Sequence, residues 1–579
     1  MKIKEITIHN FRSLKHVTLA LGDYSLLVGQ NNTGKTSVLT AIRCFYEEGG
    51  AKFTPDLDFP KFSVDDNDSW VEVHFQTTDE EQVQLKKEYR SKDSLLRVRR
   101  YFKSDNKELL TANQSNIYAY EDGVLSSNLF YGAKNISQAK VGSAIYIPEV
   151  SKTDESLKLS GPSPLREMIN FVMKRAVSKS TSFSDLQGAI GRFDEDFRKE
   201  ASEDGFSVKS LIADINQNLT HWRIRLGVDI NPLRPEDIVK SLLGHYIEDD
   251  NLDGKRVNIS SYGQGLQREL IYTLIRLSTK FVSPRKEKKK DFDPDLTLIL
   301  FEEPEAFLHP SQQDRLNAGL RSLAAETGQQ ALVTTHSPQF VSRQVEDFPS
   351  IIRLEKPTKV TSRFQLSKTD VENLFDENIG LYMRFSDLLK SADVEESIKS
   401  QIRSKELGHD KPQEAKKLEE EAIRYLLWLN SERACLFFAD HVVICEGPTE
   451  KALLEYLISQ KWPEFRQRNI YIVDALGKYN IHRLIALLSS LGIRHSVLMD
   501  RDLNAGIHKI VNDFVEERRT KLTVAIKSFD SNLETFLGIP EARRPDLKPL
   551  HVLAWVRSGK VSDEKIGGLK AILEELVTA

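Results

Sequence analysis

Gly29-Gln30-Asn31-Asn32-Thr33-Gly34-Lys35-Thr36 is the stretch that decides the fold of the first half of this chain. It has the spacing G-x-x-x-x-G-K-T. It follows the short apolar run Tyr24 to Gly29 and opens a segment, Lys35 to Tyr46, with helical periodicity. A strand, a glycine-rich turn and a helix in that order make a phosphate cradle. The glycines let backbone N–H groups wrap the phosphates, Lys35 neutralises the β and γ oxygens, and the Thr36 hydroxyl holds Mg²⁺. Asn31, Asn32, Thr33 and Ser37 belong to the same turn, and the expected ligand is ATP.

Such a cradle needs a partner that orients water and completes the metal shell. Leu296 to Phe301 is an apolar run that ends in Glu302-Glu303-Pro304-Glu305. Taken alone, two glutamates after a strand are a solvated edge. With the cradle upstream they fit a Walker B pattern, Glu302 near Mg²⁺ and Glu303 polarising the attacking water. Glutamate at the first of these positions, where aspartate is usual, has a longer arm and implies a contact through water. Thr335-His336-Ser337-Pro338 comes directly after the strand-like run Gln330 to Thr334, and a histidine there can sense the γ-phosphate. Ser260-Ser261-Tyr262-Gly263-Gln264-Gly265 is a Ser- and Gly-rich turn that opens a helix. It presents N–H groups and a hydroxyl to an anion, and an ordinary helix N-cap has the same local geometry.

A second constellation lies near the C-terminus. From Phe437 onward, strand-like runs at Val442 to Cys445, Ile470 to Val473 and Ser496 to Met499 alternate with helical segments, which implies a parallel sheet. Glu446 and Glu450 follow the first run, Gly477 follows the second, and Asp500 and Asp502 end the third. Carboxylates at the C-terminal ends of parallel strands converge on one edge of the sheet. Such crowded acids repel one another unless cations bind. Oxygen-only ligands suit Mg²⁺ or Mn²⁺, with Ca²⁺ a further option, and two such ions can activate water against a phosphodiester. Either acidic motif alone is weak evidence; both, each at a strand end, are much stronger.

The composition sets outer limits. The chain has 579 residues, 40% of them hydrophobic and 29% charged, enough for several cores. With 81 Lys plus Arg against 85 Asp plus Glu, the formal charge is −4, which excludes a globally basic coat but not a local basic groove. Three cysteines, Cys44, Cys435 and Cys445, argue against a disulfide framework and fit a reducing cytoplasm. No long apolar run suggests a membrane span.

The first four motifs, in this order, resemble the ABC-type ATPases of the SMC and RecF class, as does the opening Ile8-His9-Asn10-Phe11-Arg12-Ser13. The resemblance adds Arg12 to the nucleotide-binding residues. It also implies that Ser261, Gly263 and Gln264 of one subunit close on the nucleotide of another, and so at least a homodimer. The acidic pattern resembles the Toprim domain of topoisomerases, primases and nucleases. On that resemblance Glu446 is a general acid or base or a metal ligand, and Asp500 and Asp502 are metal ligands. An ABC ATPase followed by a Toprim domain resembles the overcoming-lysogenisation-defect nucleases. The motifs include Glu302-Glu303-Pro304-Glu305 with Leu308-His309-Pro310, and Phe438 through Glu450. That family carries a later acidic and a later basic residue, for which Glu534 and Lys560 are the expected positions.

The resulting plan is α/β: an ABC-type, SMC/RecF-like ATPase domain with a helical insertion, followed by a Rossmann-like Toprim domain. Its parts are residues 1–154 and 246–385 for the ATPase, 155–245 for the insertion (a candidate for dimerisation), 386–435 for a helical linker and 436–579 for Toprim. Within it Met1 to Ala20 reads as an antiparallel pair, Trp70 to Phe75, Leu96 to Phe102, Ala144 to Pro148 and Trp222 to Ile230 read as strands, and Lys416 to Trp428 as a helix. The basic segment Pro284 to Lys290 reads as a solvated loop. The leading expectation is an ATP-regulated, metal-dependent DNA endonuclease, with anti-phage defence as the purpose the resemblance implies. A RecF-like DNA clamp without nuclease activity and an RNA-cleaving abortive-infection effector are the alternatives. A helicase, or a retron reverse transcriptase with its DNA, are accessory partners known among such relatives.

Overall fold

The computed structural model describes residues 1–149, 180–197, 207–227, 243–282 and 294–578, apart from 245, 307, 342–343, 409–411 and 429–430. It also describes isolated positions at Leu157, Leu165, Ile169, Met173, Ile238 and Phe292. The chain divides into two compact units, one of residues 1–149 with 290–579 and one of residues 150–289.

In the larger unit the chain begins with β1 (Lys2–Phe11), β2 (Leu14–Ala20), β3 (Tyr24–Val28), β4 (Ser69–Gln76), β5 (Leu95–Lys103), β6 (Ile117–Glu121), β7 (Val124–Leu129) and β8 (Ser143–Ile147). β1 and β2 pair antiparallel, with Ile6 opposite Leu19 and Ile8 opposite Val17. They continue into an antiparallel sheet of order β2-β1-β4-β5-β6-β7. Its apolar residues alternate toward one face, because a strand's side chains point to opposite faces in turn.

β3 does not join that sheet. Its sequence, Tyr-Ser-Leu-Leu-Val, is buried throughout, as expected of a strand covered on both faces. The smaller unit contributes β9 (Ile247–Asp249) and β10 (Lys255–Val257), an antiparallel pair of its own. Back in the larger unit, β11 (Thr297–Glu302), β12 (Gln329–Thr334), β13 (Ile351–Glu355) and β14 (Ser362–Phe364) complete a second sheet of order β14-β13-β3-β12-β11-β8. It is parallel except for β14. Helix Lys35–Tyr46 lies between the two sheets. Its Val38, Leu39, Ile42 and Phe45 share one core with Ile6, Ile8, Leu27, Phe75, Leu298 and Leu332.

A third sheet follows, of β15 (His441–Cys445), β16 (Ile470–Asp474), β17 (Arg494–Asp500) and β18 (Thr523–Phe529). It is wholly parallel, in the order β16-β15-β17-β18. Its core joins Val443, Leu498 and Phe529 to Leu453 and Leu457 of helix Pro448–Gln460, Val552 of helix Lys548–Arg557 and Leu569 and Leu573 of helix Asp563–Thr578. The sheet is tied to the rest of the unit by buried guanidinium groups. Arg353 on β13 donates to the carbonyls of Ala439, Leu491 and Gly492 at 3.2–3.3 Å. Arg483 donates to Glu419, which is fully buried on helix Pro412–Trp428, with Nε 2.6 Å from Oε2. A charge pair removed from water holds only when its hydrogen bonds are met, and here both partners are fixed by them.

The expected strand Trp222 to Ile230 is not formed in its described part: residues 223–227 are turn and irregular chain. Trp222, Ile224 and Leu226 do alternate but are 69%, 57% and 44% exposed. The Asn216 side chain takes the backbone N–H of Leu226 at 2.6 Å and donates to its carbonyl at 3.0 Å, so the groups a sheet ladder would use are already engaged. Helices Thr181–Phe197 and Val208–Leu219 fit the helical reading of the insertion. Pro284 to Lys290 lies outside the described residues. No helix among the described residues is long and apolar enough to cross a membrane.

The third sheet buries imidazoles. His441 Nε2 lies 3.1 Å from Ser496 Oγ, and His495 is held by the Ile493 carbonyl at 2.9 Å and Thr523 Oγ1 at 2.8 Å. Burial pushes His441 down to about 4, with the Arg494 charge acting in the same direction, and burial also lowers His482 and His495. In the unfolded chain these groups take a proton near pH 6.5, so the unfolded state binds more protons between the two values. Stability is therefore present above pH 6.5 and is lost as pH falls toward about 4, by roughly 3 kcal/mol from His441. Denaturant midpoints at pH 7.5 and pH 5 measure this. A His441→Gln variant should lose less on acidification than the parent.

Candidate functional site

The nucleotide cradle is built from the end of β3 and the start of helix Lys35–Tyr46. Gly29 has φ +146°, and a Cβ there would stand 2.3 Å from the Leu354 carbonyl. Gly34 has φ +107°, and a Cβ would stand 2.8 Å from Thr361 Oγ1. Only glycine allows this backbone and this closeness. Thr361 braces the loop from outside, donating to the Thr33 carbonyl at 2.9 Å, with its Oγ1 2.8 Å from Ser13 Oγ. Lys35 Nζ folds back onto the carbonyls of Gly29 at 2.9 Å and Gln30 at 2.8 Å. Burial lowers its pKa to about 8 against the pull of Glu303, Glu305 and Glu302.

The strand ends complete the cradle. Thr36 Oγ1 donates to Glu302 Oε1 at 2.6 Å, and the Tyr146 hydroxyl on β8 donates to Glu302 Oε2. Glu303 takes a left-handed backbone, φ +43°, fixed by its N–H donating to Thr334. Strain of this kind in a non-glycine residue persists where surroundings enforce it, often at functional sites. His336 Nε2 lies 3.1 Å from Glu303 Oε1. Burial, and then the Lys35 charge, lower the imidazole to about 4, so it is neutral at pH 7. Glu305 accepts the His336 backbone N–H at 2.5 Å.

These groups open on one cavity of about 820 Å³, lined by Arg12, Asn31, Asn32, Gly34, Lys35, Thr36, Ser37, Glu303 and His336, with Lys61, Lys356 and Lys359 at its margin. That is ample for a nucleotide. Arg12 is oriented by Asp58, 2.9 Å away. Ser261, Gly263 and Gln264 belong to the smaller unit. There Ser261 donates to the Asn258 carbonyl at 2.6 Å, and Gln264 begins helix Gln264–Val282.

The second group of side chains gathers at the C-terminal edge of the third sheet. Glu446 follows β15 and accepts the backbone N–H of Asp500, the last residue of β17, at 3.0 Å. Glu450 lies in the first turn of helix Pro448–Gln460 and accepts the Gly447 N–H at 3.0 Å. Glu534, on the short helix Leu533–Leu537, is 1% exposed. Asp502 pairs with Lys478 and stands 2.9 Å from His508 Nδ1.

Burial raises all three central acids. Asp500 is pushed up to about 8 by burial and then by the neighbouring charges of Glu450 and Glu446. Glu450 is pushed up to about 7, chiefly by burial, and Glu446 is raised by burial too. Asp500 Oδ1 is buried without a hydrogen-bond partner among the described residues. Crowded, desolvated oxygen ligands with an unmet acceptor fit a hard divalent cation. As the side chains lie, no three His, Cys, Asp or Glu groups among the described residues are drawn together tightly enough to hold one. The positive charge beside them comes from lysines: Lys478 Nζ lies 4.0 Å from Glu446 Oε2, and Lys548 Nζ 3.1 Å from Glu534 Oε2.

The family described as "AAA ATPase domain" matches residues 1–140 and 151–341, more than half of the chain. The chain belongs to that family. The "Overcoming lysogenization defect protein-like, TOPRIM domain" matches residues 437–502. The pairing is that of an ATPase joined to a nuclease-type Toprim domain, so the chain is an enzyme, and both domain types use what their motifs imply, a nucleotide and a divalent metal. The chain is 24% identical over 553 residues to a protein named Old nuclease from Escherichia phage P2, covering 92% of this chain and 84% of that one. It is 22% identical over 558 residues to Endonuclease GajA from Bacillus cereus strain VD045, covering 91% and 81%. Among solved structures, an SmcHead bound to the C-winged helix domain of ScpA is 16% identical with a TM-score of 0.37, covering 64% of this chain and 99% of that one, a likeness too slight to bear on the fold.

Lys560, the expected late basic residue of the Toprim domain, is exposed and rests its Nζ 5.3 Å from the centre of the Trp555 ring. The lysines that the fold brings to the carboxylates are Lys548 and Lys478. Lys478 was within reach of sequence reading, since it directly follows Gly477 at a strand end. Lys548 carries no local signal, lying in the unremarkable run Pro545 to Leu550. In the ATPase domain, Tyr146 and Thr361 are likewise unmarked in the sequence.

Proposed function

We propose that this chain is an ATP-regulated, divalent-metal-dependent DNA endonuclease that serves anti-phage defence. The observation that carries the reading is the group of buried, mutually repelling acids at the C-terminal edge of the Toprim sheet, with Asp500 raised to about 8. A protein that merely clamps DNA has no use for carboxylates where phosphates must approach. Glu446, Glu450, Asp500, Asp502 and Glu534 would hold Mg²⁺ or Mn²⁺, with Ca²⁺ as a non-reactive substitute. Paired ions at such a site supply an activated water and charge compensation for the leaving oxygen. Glu446 acts as the acid or base of the reaction. Lys548, positive and adjacent, offsets the charge that builds on the phosphate. In the ATPase domain Lys35 holds the nucleotide phosphates, Thr36 and Glu302 its Mg²⁺, and Glu303 the attacking water, with His336 reporting the γ-phosphate.

The domain plan of this reading is an ATPase of residues 1–154 and 246–385 around an insertion, a linker to residue 435 and Toprim beyond it. The ATPase domains pair head to tail, so the working form is a homodimer or larger, with Ser261, Gly263 and Gln264 closing on the partner's nucleotide. Three cysteines in so long a chain, at 44, 435 and 445, suit the cytoplasm. A helicase or a retron reverse transcriptase with its DNA are the accessory partners to look for.

The test is incubation of purified protein with supercoiled plasmid, linear duplex, single-stranded DNA and tRNA, with each divalent metal, with and without ATP. Nicking or cutting of DNA that EDTA abolishes is expected. Lys548→Met should lower it by about 10²-fold, as removal of one charge-stabilising group does, while Lys560→Ala leaves it unchanged. Degradation of tRNA alone, or cutting unaffected by chelation, would overturn the reading.

A further inference from the structure

Exposed leucines stand close in sequence to residues of the carboxylate site, where charge alone would serve. Leu476 lies between β16 and Lys478, is 40% exposed and has φ +57°. Leu503 directly follows Asp502, is 75% exposed and has φ +58°. Leu547 and Leu550 flank Lys548 and are 43% and 64% exposed. A scattered exposed leucine needs no explanation. These four differ in that each stands within two residues of a side chain of the site. Two of them also sit on left-handed backbone, where Cβ crowds the carbonyl and a bulky residue is rare.

The fold enforces that backbone. The Leu503 N–H donates to the Asp530 carbonyl at 3.0 Å and the Asp502 N–H to the Ser531 carbonyl at 3.2 Å. On either side of Leu476, the Ala475 N–H donates to the Cys445 carbonyl at 2.8 Å and the Gly477 N–H to the Glu446 carbonyl at 2.7 Å. Strained backbone held by its surroundings is a feature of sites that must present a side chain in one direction.

We infer that these leucines form an apolar rim that enters the base stack of duplex DNA beside the scissile phosphate, so that the substrate is a duplex opened locally by the protein itself. The inference rests on the nuclease reading, which brings a phosphodiester to the carboxylates and its flanking bases to the rim. The backbone phosphates find their partners in the cations interleaved with the leucines, the exposed Arg501 and Arg543 and the half-buried Lys548. A leucine offers a phosphate nothing, whereas an apolar side chain pushed between base steps unstacks them and kinks the duplex. Leu503, the most exposed of the four, is the leading wedge.

Permanganate oxidises thymines that have lost their stacking. Closed circular plasmid bound by the full chain in Ca²⁺, at concentrations that give complete retardation in a gel, should show reactive thymines absent from free plasmid. Leu503→Ala and Leu550→Ala, each truncating an exposed side chain, should lose them at equal saturation. A parent complex without reactive thymines overturns the inference. So do variants that keep them, which would turn the rim toward a protein partner instead. Cutting by the parent in Mg²⁺ is read separately: a parent that unstacks thymines but never cuts refutes the nuclease reading and leaves the rim standing.

Discussion

Glu446→Gln lowers DNA cleavage by about 10²- to 10⁴-fold, the range for loss of a positioned acid or base, and leaves ATP binding intact. Glu446 sits at the centre of the Toprim site, its Oε2 joined to the Asp500 N–H at 3.0 Å and 4.0 Å from Lys478 Nζ. Glutamine keeps the shape and the hydrogen bond to Asp500 but gives up the proton-carrying oxygen. Asp500→Asn is the companion change. Burial already favours the uncharged acid at that position, so the amide is accommodated and the fold persists. What is lost is an anionic oxygen ligand, and with it the stabilisation by cation. Thermal denaturation with and without Mn²⁺ reads this directly: the parent should gain stability on adding the ion and Asp500→Asn should gain much less. Normal plasmid cutting by either variant would remove the site assignment.

Glu303→Gln leaves nucleotide bound but slows ATP hydrolysis by about 10²-fold or more. Its carboxylate faces the cavity, is 3.1 Å from neutral His336, and hangs from a backbone fixed by Thr334. The change removes the acceptor that would draw a proton from water and spares the groups that hold phosphate. Lys35→Ala does the opposite, because Lys35 is the buried cation of the cradle and its ammonium releases the Gly29 and Gln30 carbonyls when phosphate arrives. Titration calorimetry with a non-hydrolysable nucleotide, alongside phosphate release, separates the two. Comparing both variants in plasmid cutting shows whether bound ATP activates or restrains the nuclease. Equal loss of binding in both would contradict the roles given to Glu303 and Lys35.

Local patterns were legible where local physics governs. The helix at Lys35–Tyr46 begins at its glycine turn and ends where the periodic apolar residues stop. Strands β3, β11 and β15 are continuous apolar runs, and burial on both faces of a parallel sheet demands that composition. β18 was harder. Its run Thr-Val-Ala-Ile-Lys-Ser-Phe is only partly buried, as suits the edge of a sheet, and gives little contrast with loop sequence. Trp222 to Leu226 shows the reverse failure, an alternation with nothing to pair against once Asn216 has taken the backbone of Leu226.

The sequence by itself determined the order of the motifs, the identity of the phosphate cradle and the carboxylates at the ends of β15 and β17. Each of these is set by residues close together in the chain and by the period of the element that bears them. Only the tertiary structure decided which cations attend them. Lys548 reaches Glu534 because helix Lys548–Arg557 packs Val552 and Val556 into the same core as Leu453 and Leu457 of helix Pro448–Gln460. Lys560, beyond the end of that helix, is turned toward Trp555. The charge on a lysine is written in the chain, but the place where it is delivered depends on packing between segments about a hundred residues apart, which no local spacing encodes.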